Sequence, residues 1–553
     1  MSTPLKRVQE FSSKPLSVKK QKLVCNVCNK ELDFMKRSSI VKHLESDKHV
    51  TNEAAYNSSR TLNFDEDPVH NFRRDLYLKP GFNVPSTTTV RRLLPKVYEE
   101  EYAHLKNFFN QAKVAIICDE TTDSMGRSVF QVLLKKLDFN TDPNPKLIDT
   151  CFLETVDYST ISRAVVNALI KINVDFNNVM SFITDNASYM LKAFKTTIKT
   201  LMPNCTHVTC FAHIISLVGE TWRSNLNNLD QTVANFKSIF SRSNYRKQRF
   251  LEFQKNEGVE KPQCFPAPVV TRWNTWFKAV KFISENFEIS KKFVLEEIKL
   301  EDTLALNKLK LLFEESELEI EFKFVSQRCD KFKFAILRFE EQNLKTTKVY
   351  NLVSDLYFWL TGQLDTVVYD KPEENLLAKN LFKEAIAKLK KYMFDGSQPG
   401  MEFFKAARIF DPAQAIFFNA NLSELKIPFN IYNGIVNEWP IYIGLIADLN
   451  IEDPENIDLE KWWCQQKNRL PNMFEYARWI INLPSTSCDS ERALSKYKIA
   501  LADNRQNMSD ETILITNFLY FNTNRNLLNE ANDNNDLSDN DEDFIALESD
   551  KEN

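Results

Sequence analysis

The stretch Lys113–Ser124, KVAIICDETTDS, constrains the fold more than any other in the chain. Five mostly apolar residues, Val114–Cys118, run without alternation into an acidic, hydroxyl-rich turn, Asp119-Glu120-Thr121-Thr122-Asp123. An apolar run this short and this rich in β-branched residues reads as a strand buried on both faces. A carboxylate at the exit of such a strand is held by a rigid scaffold yet reaches solvent. That suits a metal ligand, and Asp119 is the first candidate.

The following sequence repeats the device. SVFQVLLKKLD (Ser128–Asp138) and LIDTCFLETVD (Leu147–Asp157) read as strands, the first reached through a short polar hairpin connection. TISRAVVNALIKI reads as a helix with Thr160 near its start, and in NVMSFITDNASYMLKAFKTTIK an apolar strand, Val179–Thr184, delivers Asp185 and then a helix. A fifth strand runs through HVTC into CFAHIISLVGETW. Three strands, helix, strand, helix, strand predict an antiparallel meander extended by parallel crossovers, the RNase H-like plan. There the first and fourth strands are neighbours, so Asp119 and Asp185 end at one edge of the sheet. Two such carboxylates repel unless a cation sits between them. Oxygen ligands with open positions favour Mg²⁺ or Mn²⁺ over zinc. Asp-Glu-Thr-Thr-Asp and Thr-Asp-Asn-Ala are also good turn and cap chemistry, the commoner reading of each aspartate alone. Their pairing on one device tips the balance to function.

Nine glycines in 553 residues is low against a usual ~7%, so helix is expected to dominate. Neither GxxxxGK[ST] nor GxGxxG occurs, which argues against a nucleotide cofactor. The net charge of −4 means that nucleic-acid binding would need local basic patches offset by acidic segments. Ten scattered cysteines, with no signal peptide or long apolar span, read as reduced intracellular thiols and leave no membrane role.

Residues 1–20 read as a basic, solvated tail. Within 21–55, Cys25-x2-Cys28-x14-His43-x5-His49 has the spacing of a closed tetrahedral zinc site, with His43 on a helix and the metal supplying much of the folding energy. Lys36, Arg37 and Lys42 crowd the start of that helix and are candidates for meeting DNA phosphates or base edges. The segment resembles the BED-like finger of the CGG-repeat-binding protein group in KLVCNVCNKEL, the KRSS helix start and HLESDKH. The resemblance continues through DPVHNFRRDLYLKPGFNVPSTTTVRRLLPKVY, within a linker and helical DNA-binding region at 56–108; NEAAYNSSRTLNFDE stands where that group has a further apolar helix.

Residues 225–480 read as a long, Phe-rich helical block. NYRKQRF (Asn244–Phe250) and TRWNTWFKAV (Thr271–Val280) interleave basic and aromatic residues, which serves either a DNA backbone or amphipathic packing. LNKLKLLFEESELEIEFKFV reads as one amphipathic helix. Near the end, Pro484 and Ser485–Ser487 announce a helix with Glu491 in its first turn; 528–553 is an acidic, Asn-rich, disordered tail.

Taken together, IICDETTD, FITDNASYMLKAF, CFAHIISL, TRWNTW and LPSTSCDSERALSK make the chain resemble a hAT-superfamily DNA transposase over most of its length. The resemblance implies an RNase H-like domain (109–224 and 481–527) split by the all-α insertion, an α+β/α architecture. It also implies a C-terminal dimerisation region beginning near 440. It further implies a two-metal Asp119, Asp185, Glu491 site for strand cleavage and transfer, with Asp119 bridging, and a homodimer acting on terminal inverted repeats in the nucleus. Cys210 and His213 would border that site, and Arg272 and Trp273 would contact DNA. The competing reading is a catalytically silent, transposase-derived DNA-binding regulator.

Overall fold

In the computed structural model the described residues are 4–11, 16–19, 22–25, 28, 30–46, 49, 87–241, 243–269, 273–342, 344–366, 372–394, 400–417, 422, 432–447, 449, 457–501 and 508–523. The chain divides into two units, Met1–Lys96 and Val97–Asn553.

In the first unit, β1 (Leu16–Lys19), β2 (Lys22–Cys25) and β3 (Lys30–Leu32) form an antiparallel sheet in sequence order, followed by the helix Arg37–Leu44. Register pairs Leu16 with Cys25 and Leu23 with Leu32. Leu16, Leu23, Leu32, Ile40 and Leu44 make a small core, against which Val8 and Phe11 pack from the helix Pro4–Glu10 and its end. Within the stretch expected as a solvated tail, residues 4–10 are helix and 16–19 are strand. Val8, Phe11 and Leu16 supply apolar surface to a core that would otherwise be too small, and Arg7 Nε donates to the Phe34 carbonyl at 3.0 Å.

The second unit is built on a five-stranded sheet. Its strands are β4 (Val114–Thr122), β5 (Ser128–Lys136), β6 (Lys146–Leu153), β7 (Val179–Thr184) and β8 (Thr206–Thr209), in the order β6-β5-β4-β7-β8. β4, β5 and β6 pair antiparallel, whereas β4, β7 and β8 pair parallel, so the first and fourth strands are neighbours as expected. Side chains alternate across the pleat. Val114, Ile116, Cys118, Phe130 and Val132 face Tyr98, Tyr102, Leu105 and Phe109 of one helix and the helix Tyr158–Ile172, while Ala115, Ile117 and Leu133 face the large helical mass. Both faces are covered, which is why Val114–Cys118 shows no polar alternation.

Two expected boundaries move. Asp119–Thr122 is strand, not turn: it pairs with Ser128–Gln131, and the hairpin turns later, at Asp123–Arg127. There the Asp123 carboxylate accepts from the Met125 and Arg127 amides at 2.9 Å, and Gly126 supplies φ of 76°. The fifth strand stops at Thr209, and Cys210 caps the helix Phe211–Asn225.

The helices that follow share one apolar cluster with the sheet face, and aromatic rings fill it. Trp222 is enclosed by Phe324, Phe332 and Phe382 and donates its indole N–H to the Leu381 carbonyl at 3.2 Å. The amphipathic run expected as one helix is two, Leu304–Glu314 and Leu318–Glu340. The break falls at Glu315–Glu317, where three adjacent helix positions are polar and have no face to bury. Among the described residues no helix is long and apolar enough to cross a membrane.

The helix Asp510–Thr523 lies along the outer strand β6. Asn522 accepts from the Leu147 amide at 3.0 Å and donates to its carbonyl at 2.9 Å, standing in for a sixth strand at one point of an otherwise open edge. Replacing Asn522 by Ala strands both buried backbone groups. It is expected to destabilise the second unit by about 2–3 kcal/mol and to speed hydrogen exchange at Leu147, read by thermal melting and mass spectrometry; unchanged exchange there would contradict the clamp.

Candidate metal centres

In the first unit, Cys25 leaves β2, Cys28 sits in the β2–β3 turn, His43 lies on the helix and His49 just beyond it. Their ligand atoms all lie within 4.8 Å of one another. His49 Nδ1 is 3.5 Å from Cys25 Sγ and 3.4 Å from Cys28 Sγ, and the two imidazoles meet edge to face at 5.0 Å. Burial, together with the neighbouring His49 and Lys30, holds His43 below the usual histidine range, in its neutral, ligating form. Its Nε2 is buried with no hydrogen-bond partner. Two thiols and two imidazoles with an orphaned ring nitrogen fit a zinc ion. Among the described residues, this is the only group of three or more Cys, His, Asp or Glu at such spacing.

In the second unit the sheet register brings two acids together. Ile117 of β4 and Ile183 of β7 are direct partners. Asp119 and Asp185 each stand two residues further on, so the pleat points both to the same face at the same end of adjacent parallel strands. Asp119 Oδ1 accepts from the Glu120 amide at 2.8 Å and Asp185 Oδ1 from the Ala187 amide at 3.1 Å, so the turn chemistry considered for them is also present. Burial, then the charges of Asp185 and Glu491, push the Asp119 carboxyl up to about 8. Burial also raises Asp185.

Glu491 arrives from far along the chain. Cys210 N–H donates to the Thr184 carbonyl at 2.8 Å, tying the end of β8 to that of β7, and Phe211 N–H donates to Ser485 at 3.2 Å. Thr346 Oγ1 holds the Leu483 carbonyl at 2.7 Å. The Ser485–Ser487 segment is thereby fixed, and the helix Cys488–Ala500 starts over the same end of the sheet. Its Leu494 and Tyr497 pack on Val129, and Tyr497 Oη donates to Asp123 at 3.0 Å. Glu491, in its first turn, has an oxygen 3.7 Å from His213 Nε2. Despite burial, the neighbouring Cys210, Glu491 and Asp119 raise His213 to about 10, making it an imidazolium. Cys210 is held well below the usual thiol range against its burial, by hydrogen bonding from Cys488 and by that charge.

With this geometry in hand, the comparisons divide along the chain. The CGGBP1 N-terminal domain matches residues 2–55, which hold the Cys/His cluster. The hAT family C-terminal dimerisation region matches residues 443–522, which hold Cys488, Glu491 and Tyr497. The C-terminal region is hAT-related. No curated protein matches the chain. Within the hAT-related region, Trp463 is buried with its N–H on the Phe410 carbonyl at 2.9 Å, and the Glu438 carboxylate accepts from the Asn472 and Met473 amides at 2.9 and 2.8 Å. The Trp462-Trp463 and NRLPNM motifs thus serve internal packing and capping.

The remaining expected site residues fall out unevenly. Lys36, Arg37 and Lys42 are exposed on the finger helix, where Arg37, Ser38, Val41, Lys42 and Glu45 line an open concavity; Arg37 also pairs with Glu10 at 2.5 Å. Arg272 lies outside the described residues. Trp273 opens the helix Trp273–Glu285. Its neighbour Trp276 is buried, with its N–H on Asp230 at 2.9 Å. For NYRKQRF the packing alternative holds at Arg246, which is buried and bonds Glu297 at 2.9 Å and the Ile239 carbonyl at 2.8 Å. Sequence reasoning missed the Asp123–Arg127–Tyr497 tie. Nothing local in DSMGR points to a tyrosine 374 positions away.

The finger geometry has a direct consequence. Purified protein should carry about one zinc, and Cys25→Ser should abolish it and melt residues 4–49, because zinc contributes on the order of 10 kcal/mol to so small a fold. Zinc stoichiometry by mass spectrometry and amide dispersion by NMR check this; full zinc occupancy in the variant would refute the ligand set.

Proposed function

We propose that this protein is a hAT-type DNA transposase: a dimeric DNA-binding protein whose Asp119, Asp185 and Glu491 form a strand-cleavage and transfer site in an RNase H-like domain interrupted by the helical block 225–480. The observation that carries the reading is the β4–β7 register. It sends two aspartates to one edge, beside a helix that carries Glu491 in its first turn. The strand order β6-β5-β4-β7-β8, antiparallel then parallel, supports the RNase H-like assignment. The finger's exposed Lys36, Arg37 and Lys42 support DNA as the partner, and the match at 443–522 supports a homodimer. The nucleus is the compartment where such a substrate is met.

The donor set is one that would hold hard divalent cations: Asp119 and Asp185, whose burial opposes ionisation, gain most from added positive charge, and Glu491 lies beside His213 at 3.7 Å. Asp119, on the central strand, would hold the ions together with Asp185 and Glu491. The chemistry supplied by bound Mg²⁺ or Mn²⁺ is activation of a water or DNA hydroxyl and stabilisation of the leaving oxygen in an in-line displacement. The chain's own part is positional. The sheet holds the two aspartates rigidly, and the Phe211–Ser485 and Tyr497–Asp123 bonds hold the glutamate helix against them.

One observation favours a second reading, a silent DNA-binding regulator derived from such an enzyme. The His213 imidazolium beside Glu491 already offsets some of the acidic charge without a metal.

Cleavage of supercoiled plasmid carrying the element's terminal repeats, in Mg²⁺ or Mn²⁺, separates the two. Asp119→Ala, Asp185→Ala and Glu491→Ala should each reduce nicking by about 10³-fold or more while leaving repeat binding intact. Specific binding without cutting by the unaltered protein would leave the regulator.

A further inference from the structure

Gln131 is unexplained by anything so far. It is fully buried, at 0% exposure, yet neither its amide oxygen nor its amide nitrogen has a hydrogen-bond partner. Burying an amide unsatisfied is destabilising, so such a group in the middle of a sheet calls for a reason. Its position supplies one. Gln131 is the direct register partner of Asp119 across β4–β5. Its strand neighbours two away, Val129 and Leu133, lie on the face covered by the helix Cys488–Ala500 and the helical mass, and Phe130 and Val132 lie on the other. Gln131 therefore shares a face with Asp119, beneath the helix that carries Glu491.

On its other side Gln131 pairs with Thr150 of β6, whose hydroxyl oxygen already accepts from Asn517 Nδ2 at 3.1 Å. No hydrogen bond joins the Gln131 amide to Thr150 or to Asn517, whose own Oδ1 is buried without a partner. On the opposite side its register partner is Asp119.

We propose that Gln131 is a positioning residue of the acidic site: when the site is loaded, its amide turns to the carboxylate of its register partner Asp119 and holds it for the cation. The inference rests on the metal-site reading above and extends it to a residue that touches no DNA. An apolar residue at this buried position would pack more favourably in the metal-free protein. A glutamine there contributes when the site is loaded.

The test uses full-length, zinc-replete protein and Mn²⁺ itself as the probe, followed through the EPR signal of the free aqueous ion and through the Mn²⁺-induced rise in melting temperature. Gln131→Met keeps the side-chain length and removes both polar atoms. It should melt at or above the unaltered protein without Mn²⁺, bind Mn²⁺ about 10–100-fold more weakly and lose most of the Mn²⁺-induced rise. Gln131→Ala leaves a small void and lowers the metal-free melt, but must weaken Mn²⁺ binding by the same factor. Asp119→Ala identifies the site. Asp119-dependent Mn²⁺ binding that survives both glutamine substitutions overturns the role of Gln131 alone. Binding indifferent to Asp119→Ala overturns the metal site, and this proposal with it.

Discussion

The parallel pairing of β4 with β7 is the constraint on which the second unit rests. Both strands are buried on both faces, so neither can slip by one residue without turning a row of aliphatic side chains to the wrong layer. The register that places Ile117 opposite Ile183 therefore also fixes where Asp119 and Asp185 emerge. Two charged groups at the rim of a sheet are costly in isolation, as the upward shift of both carboxyls indicates. The scaffold tolerates them because the hydrophobic layers on either side leave it no cheaper arrangement.

The rest of the site depends on ties between distant parts of the chain. A single backbone bond from Phe211 to Ser485 joins two helix starts, Cys210–Phe211 and Ser487–Cys488, and so sets Cys210, His213, Cys488 and Glu491 around one corner. At the far end of the second helix, Tyr497 and Arg127 close a buried polar knot on Asp123, with Arg127 lying over the Phe152 ring at 4.3 Å. Arg478 grips Asp138 with two bonds of 2.8 Å, which fastens the preceding helix to the loop after β5. Each tie contributes modestly by itself. Their value is directional, since together they leave the glutamate helix one place to sit.

Much of this was legible in the sequence. The strand Val179–Thr184, the helix ending at Ile172 and the helix beginning at Cys488 follow from apolar runs and caps, which are local properties. The spacing of Cys25, Cys28, His43 and His49 announced a four-ligand cluster, and the four side chains converge. What was not legible is what depends on partners. Asp119–Thr122 resembles a turn, and only pairing with Ser128–Gln131 makes it strand. Residues 4–11 and 16–19 look like parts of a solvated tail until Val8 and Leu16 are seen closing a core. Gln131 sits in an apolar strand where one polar residue passes unnoticed, because its register partner cannot be read from its own neighbours.

The side-chain clamp of Asn522 on Leu147 bears on how the protein is made. Strand β6 is synthesised early, yet the group that occupies its free edge lies 375 residues later. Through most of translation the nascent sheet offers an unpaired, mostly apolar strand to any other extended chain nearby. Premature termination anywhere in that interval would release a polypeptide with this edge open, and chaperone binding there during elongation would guard against the earliest route to aggregation.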